Sequence, residues 1–135
     1  MLLANVNWIA VLVSAVASMV VGIIWFSPPL FQKAYLAEIG KTAEAAAAIP
    51  PTNYLISFIL AIVEAVILSS LIGAMANPGV GAGLAAGFMG WLGFVATTSG
   101  ANTLFGDNKF RLWYVQNGNH LLTLLVMGAI IGLMG

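Results

Sequence analysis

The chain has 135 residues, of which 61% are hydrophobic and only 6% are charged, with zero net charge and no cysteine. A soluble domain carries about 25% charged residues, so this composition excludes a soluble enzyme and a disordered chain. The sequence has no cluster of basic residues that could contact the phosphates of a nucleic acid. Without cysteine there are no disulfides, thiolate nucleophiles or cysteine-bound metals. The sequence therefore predicts an integral membrane protein whose first partner is the lipid bilayer.

Four charge-poor apolar runs are each long enough to cross a bilayer as a helix, which takes about 20 residues. The predicted spans cover roughly residues 8–26, 54–75, 80–105 and 112–134. Proline pairs end the first span and precede the second, and Asn77-Pro78-Gly79 predicts a tight turn. Continuous rather than alternating apolar character disfavours strands. We therefore predict an all-α polytopic membrane protein, a four-transmembrane-helix bundle forming one domain over residues 1–135.

The first loop, residues 27–53, is the only sizeable connection outside the spans. Five of its apolar residues recur at helical spacing: Leu30, Phe31, Ala34, Tyr35 and Ile39. This pattern predicts a short helix in the membrane interface. Thr42 is a typical N-cap with Glu44 in the following turn, which predicts a second short helix. We interpret the loop as a packed connector, with a membrane-surface gate as the alternative.

The cations predict the orientation of the chain. All four of them fall in the first loop or near the turn between spans three and four: Lys33, Lys41, Lys109 and Arg111. In a four-span protein these two segments share one side of the membrane. The positive-inside rule then places loops 27–53 and 106–111 in the cytoplasm and both termini outside, in the cell (inner or plasma) membrane. No charged n-region precedes the first span, so we expect it to be retained rather than cleaved as a signal peptide.

Small residues recur every fourth position in every span, which is typical of helix contacts in membranes. They are Ala10, Ser14, Ser18 and Gly22 in span one, Ser57, Ala61, Ala65, Ser69 and Gly73 in span two, Gly79, Gly83 and Gly87 in span three, and Gly128 and Gly132 in span four. Span three is the richest, because it also carries further glycines, so we expect it at the centre of the bundle. Stripes on every span also predict a homo-oligomer.

Polar residues inside the spans are informative, because a polar group in hydrocarbon is costly unless it is paired. At about 1.5 Å per residue, Glu64 is expected about 15 Å and His120 about 12 Å from the cytoplasmic membrane surface. The same rise per residue places Thr98 and Ser18 roughly 10–12 Å from the cytoplasmic membrane surface. The four spans therefore each place a polar group in one layer of the cytoplasmic half.

Span four adds a broad polar face. Gln116, His120 and Thr123 recur at helical spacing, and Asn117 and Asn119 flank them. Such a face avoids lipid and looks into the bundle, a subunit interface or a water-filled cavity. We interpret the polar groups either as interhelical hydrogen bonds or as a site for a small ion or solute, for example a proton relay.

The residues indicate no catalytic or cofactor site. The single histidine has no sequence-local partner of the kind that marks a triad, and the only aspartate, Asp107, lies in a turn. Two strong ligands at depth are too few for zinc, and one histidine excludes bis-histidine haem. We therefore expect a non-enzymatic protein with no catalytic residue, metal or cofactor. Aromatic residues at the span ends are interpreted as interface anchors: Trp8, Trp25, Trp113 and Tyr114.

Four motifs carry a resemblance to a known family. They are Trp25-Phe26-Ser27-Pro28 followed by Leu30-Phe31 and Lys33, the run Gly93-Phe94-Val95-Ala96-Thr97-Thr98, Asn102-x-Leu104-Phe105, and Asn117-x-x-His120 followed by residues 125–130. In order and position they resemble the small membrane proteins grouped as domain of unknown function 1761, over nearly the whole chain. The resemblance implies a four-helix membrane protein, mostly from prokaryotes, with no established activity.

The residues that match this family's pattern are Trp25, Ser27, Pro28, Phe31, Lys33, Thr97, Thr98, Asn102, Phe105 and His120. The chain departs from the pattern at Tyr35, where the family has a tryptophan, and at Asn119, where it has an aromatic residue. The pattern has no glutamate corresponding to Glu64. The resemblance therefore favours His120 with Asn102 and Thr98 as a shared site over a Glu64–His120 pair.

The leading hypothesis is an oligomeric channel or transporter, or a small-ligand-binding protein, that uses the polar layer for a small ion or solute. The candidate polar residues are His120, Glu64, Thr98, Asn102, Gln116, Ser18 and Asn117. The alternative is a non-transporting structural or accessory membrane subunit, in which the same groups only specify how the helices pack.

Overall fold

The computed structural model describes residues 6–27, 29–40, 42, 44, 50–106 and 110–134, and every regular element within them is a helix. The helices are α1 (Trp8–Trp25), α2 (Gln32–Ile39), α3 (Pro51–Gly73), α4 (Val80–Phe105) and α5 (Phe110–Met134). All but α2 are long and apolar enough to cross a membrane. The predicted all-α fold with four spans is confirmed. The second short helix predicted after Thr42 falls largely outside the described residues.

Local sequence sets where these helices start and stop. The side-chain oxygen of Asn7 accepts a hydrogen bond from the Ala10 N–H at 3.1 Å and caps α1. Pro51 opens α3, where the missing N–H of proline removes no helical bond. Gly40 ends α2 with a left-handed φ of 71°, a conformation that a Cβ would strain. The first loop therefore has a defined helical stop.

The centre of the bundle is α5, which packs against α4, α1, α3 and α2. Over the most apolar 18 residues of each span, 39% of α5 is buried, against 17% of α4. The expectation that the third span is central is therefore wrong. In α4, Gly83 and Gly87 pack against α5 and so bury only one side of their helix. In α5, by contrast, small and apolar residues are buried on several sides.

The contact between α4 and α5 is a seam of glycines. A Cβ on Gly83 would lie 2.6 Å from the carbonyl carbon of Gly128, and a Cβ on Gly132 would lie 2.6 Å from that of Gly79. Gly87 faces the Leu124 backbone in the same way. No larger residue fits without moving a backbone, so these small residues act as predicted for helix packing in lipid.

The remaining core joins α1, α3 and α5. Its buried apolar members are Ala10, Val11, Ala15, Ala61, Ala65, Leu68, Ile72, Leu124, Met127 and Ile131. Where α1 begins and α5 ends, which we call the termini end, Asn7 connects the three helices. Its backbone N–H donates to Ser69 Oγ at 3.0 Å, and its side chain donates to the Met134 carbonyl at 3.1 Å.

At the opposite, loop end, α2 packs on the start of α5. Leu36 is buried, and the Arg111 Nε lies 3.6 Å from the Glu38 carboxylate. The short helix predicted for the first loop is thus present and docked onto the bundle.

Candidate functional site

A groove opens between α3 and α4, because these two helices touch each other only slightly. Helix α4 packs mainly on α5, whereas α3 packs mainly on α1. It encloses about 490 Å³. Its polar lining consists of Glu64 from α3, Ser99 from α4 and His120 from α5. The rest is apolar or small: Ile67, Leu68, Leu71, Ala86, Gly90, Phe94, Val95 and Leu124. We call it the Glu64–His120 groove.

The two ionisable groups of the groove are not satisfied by the rest of the bundle. Glu64 is half-buried and His120 is exposed at the groove surface. Neither forms a hydrogen bond or an ion pair with another described residue. In hydrocarbon such a group costs several kcal/mol by the order of magnitude of polar transfer. Both groups are therefore open to a ligand, to water or to a second copy of the chain.

The structure does not bring the other predicted layer residues to this groove. Thr98 and Asn102 are exposed elsewhere on α4, and the groove is lined by Ser99 between them. Ser18 donates to the Ala15 carbonyl of its own helix at 2.8 Å. The rise per residue predicts how deep a residue lies in the membrane, but not which neighbouring helix its side chain faces. In addition, Trp91–Ala96 is π-helical, and the extra residue in its wider turn changes which later residues face the groove.

The polar face of α5 is divided between the groove and the packed interior. Asn117 is 2% exposed, and its Nδ2 donates to the Trp113 carbonyl at 3.0 Å. The Oδ1 atoms of Asn117 and Asn119 are buried without a hydrogen-bond partner among the described residues. Gln116 is half-buried and does not line the groove. Of this face, His120 alone reaches the groove.

Two tryptophans bond to the backbone of α5. Trp25 Nε1 donates to the Val115 carbonyl at 2.8 Å, and Trp91 Nε1 donates to the Asn117 carbonyl at 2.9 Å. The Trp25 ring covers Gly118, where a Cβ would lie 2.8 Å from Cζ2. Trp25 therefore also packs on α5, a contact that its interpretation as an interface anchor does not include. Gly118, which stands inside the polar run Gln116–His120, is the sequence signal that could have indicated this contact.

The first family motif forms the connection from α1 to α2. The Trp25 and Phe31 rings stack with centroids 4.2 Å apart, and the Phe31 N–H donates to the Trp25 carbonyl at 3.1 Å. Ser27 Oγ donates to the Ile24 carbonyl at 2.6 Å. Pro28 lies outside the described residues, and Lys33 and Phe105 are exposed. This motif is structural in its described contacts.

The polar groups of the groove suit the binding of a charged or polar ligand. Within the described parts of the chain, no three residues among His, Cys, Asp and Glu come together as they would around a metal ion. A carboxyl, an imidazole and a hydroxyl on apolar walls suit a proton, a cation or a small polar ligand.

Comparison with known proteins agrees with the motifs. The family model described as a protein of unknown function (DUF1761) matches residues 9–132. The chain belongs to this family. No curated protein and no solved structure matches it. The DUF1761 membership confirms the resemblance carried by the motifs, and the four apolar helices are those of a multi-pass membrane protein.

Proposed function

We propose that the protein is a non-enzymatic membrane protein that binds a small ion or solute in the Glu64–His120 groove and carries it across the bilayer as a homo-oligomer. One observation carries this proposal. A carboxyl and an imidazole line the same groove between spans, and neither has a partner among the described residues. Ionisable residues inside a membrane are a mark of substrate and ion pathways.

The oligomer and the orientation belong to the same proposal. The groove lies on the side of the bundle where α3 and α4 separate, so a second copy against that side would close it into a path. All four cations of the sequence fall within residues 27–53 or 106–111. By the positive-inside rule we place these two segments in the cytoplasm of a cell membrane, with both termini outside.

A structural or accessory subunit is the second candidate. It is favoured by the hydrogen bonds from Trp25 and Trp91 to α5 and by the buried Asn117, which use polar groups only for packing. It gives no role to the groove, because Glu64 and His120 take no part in these bonds.

Flux in proteoliposomes tests the proposal. The purified protein is reconstituted, proton and monovalent-cation gradients are imposed, and wild type is compared with His120→Leu and Glu64→Gln. We expect flux in the wild type and its loss in both variants. Ser70→Ala is the matched control, since the Ser70 hydroxyl bonds only to the Val66 carbonyl of the same helix as Glu64. No flux with verified insertion would support the accessory role instead. Wild-type flux in both groove variants would overturn the groove as the path.

A further inference from the structure

We infer that the ligand of the Glu64–His120 groove is a lipophilic organic cation, an ammonium or phosphonium with apolar substituents. The inference rests on the proposed function and names its substrate class. Three features of the groove carry it: its charge, its number of donors, and the shape and chemistry of its walls.

The described lining of the groove carries a carboxyl but no lysine or arginine. Glu64 supplies the only carboxyl of the lining. No lysine or arginine occurs in residues 51–106 or 112–134, so no cationic side chain of α3 or α4 can pair with Glu64. Arg111, at the start of α5, lies instead beside Glu38. A carboxylate in an apolar setting is stable only with a counter-charge or a proton.

The donor count disfavours a bare metal ion. The groove offers Glu64, His120 and Ser99 as donors. Ca²⁺ takes about 6–8 oxygen ligands, and Mg²⁺ demands near-octahedral coordination. An organic cation needs no such shell, because its charge is spread and its substituents gain free energy from apolar contact.

The walls suit apolar substituents. Ile67, Leu71 and Leu124 line the groove, and Phe94, with 77% of its surface exposed, adds an aromatic ring to it. An aromatic face attracts an ammonium or a similar cation within about 6 Å. The volume of about 490 Å³ is typical of small organic ligand sites.

Tetraphenylphosphonium binding to the purified full-length protein tests the inference, with tetraphenylborate as the probe of the same shape and opposite charge. We expect the phosphonium to bind to wild type, and the borate to bind at least about tenfold more weakly. Glu64→Gln should weaken phosphonium binding by about tenfold or more. Comparable affinity for both probes, or unchanged phosphonium binding in Glu64→Gln, would overturn the inference.

Two glycines of α4 allow a second test of the binding site that leaves Glu64 unchanged. A Cβ at Gly90 or at Gly93 meets no atom within 4 Å, but Gly90 lines the groove and Gly93 does not. Gly90→Leu should fill the groove and abolish phosphonium binding with thermal unfolding unchanged, whereas Gly93→Leu should bind as wild type does. Equal binding by the two variants would contradict the site.

The two proposals fail separately. Proton or monovalent-cation flux that depends on His120, without phosphonium binding, upholds the proposed function and overturns the organic-cation ligand. Phosphonium binding that depends on Glu64, without transport of any probe, upholds the ligand site and overturns carriage across the membrane.

Discussion

The two sides of α4 differ sharply in how they meet their neighbours. Toward α5, Gly83 and Gly87 bring the two backbones into direct contact and leave no room for a Cβ. Toward α3, Ala86 and Gly90 face a groove that no described helix fills, although these residues are also small. The closed side carries no ionisable group, whereas Glu64 and His120 both line the open one. Small residues alone therefore do not decide where helices meet, and the open side is the one that carries chemistry.

The largest expected effect is on the closed side. Gly83→Ala places a Cβ against the Gly128 carbonyl, so the two backbones must separate. We expect the free energy of unfolding to fall by about 3 kcal/mol, the upper range for overpacking, measured by denaturant titration in detergent. Gly81→Ala is the matched control on the same helix, where a Cβ meets nothing within 4 Å. Equal stability of the two variants would contradict the close approach at the seam.

The tryptophan bonds to α5 give the next largest effect. Trp25→Ala removes a ring packed on Gly118 and a hydrogen bond to the Val115 carbonyl, and we expect a loss of about 3 kcal/mol or less, because the ring is only half-buried. Trp25→Phe should cost about 1 kcal/mol, the usual worth of one hydrogen bond. Trp8→Ala is the control, since Trp8 is 60% exposed and should change unfolding little. A Trp8 variant as unstable as the Trp25 variant would show that burial at α5 is not what matters.

On the open side we expect the opposite sign. Glu64→Leu and His120→Leu remove groups that have no partner among the described residues. The free energy of unfolding should stay unchanged or rise by about 1 kcal/mol, because an unpaired polar group is replaced by an apolar one. The same denaturant titration measures it. A loss of stability in both variants would show that these groups hold helices together and would favour the accessory role.

The smallest effect is expected at the loop end. Arg111 is 71% exposed in its side chain and pairs with Glu38 at 3.6 Å. Water at the open Arg111 end screens this pair, although the Glu38 side chain is only 9% exposed, so the pair should contribute about 0.5–1 kcal/mol. Arg111→Gln should therefore shift thermal unfolding slightly, and high salt should reduce the difference. A large shift that salt does not screen would mean that α2 is held to α5 mainly by this pair.

The sequence predicts the spans and the seam for physical reasons that are visible in it. Apolar runs and prolines mark where helices cross and stop, and the spacing of Gly83 and Gly87 indicates a close face. The central position of α5 could not be read in this way, because a stripe shows that one face packs but not how many neighbours a helix has. Ser99 could not be distinguished from Thr98, since the π-helical turn before them is not marked in the sequence. From the sequence alone, the position of Trp25 at a span end matches that of an interface anchor, and its contact with α5 cannot be seen.

Measuring water access to the groove is the most direct test of a polar binding site between α3 and α4. Because the sequence has no cysteine, a single introduced thiol reports only on its own position. His120→Cys and Leu122→Cys place single thiols on α5, at two exposed positions of which only the first lines the groove. Thiols react through the thiolate, which forms in water. In membranes, a water-soluble maleimide should modify His120→Cys at least about tenfold faster than Leu122→Cys. Equally slow modification of both thiols would mean that the groove is dry, and would contradict a polar binding site between α3 and α4.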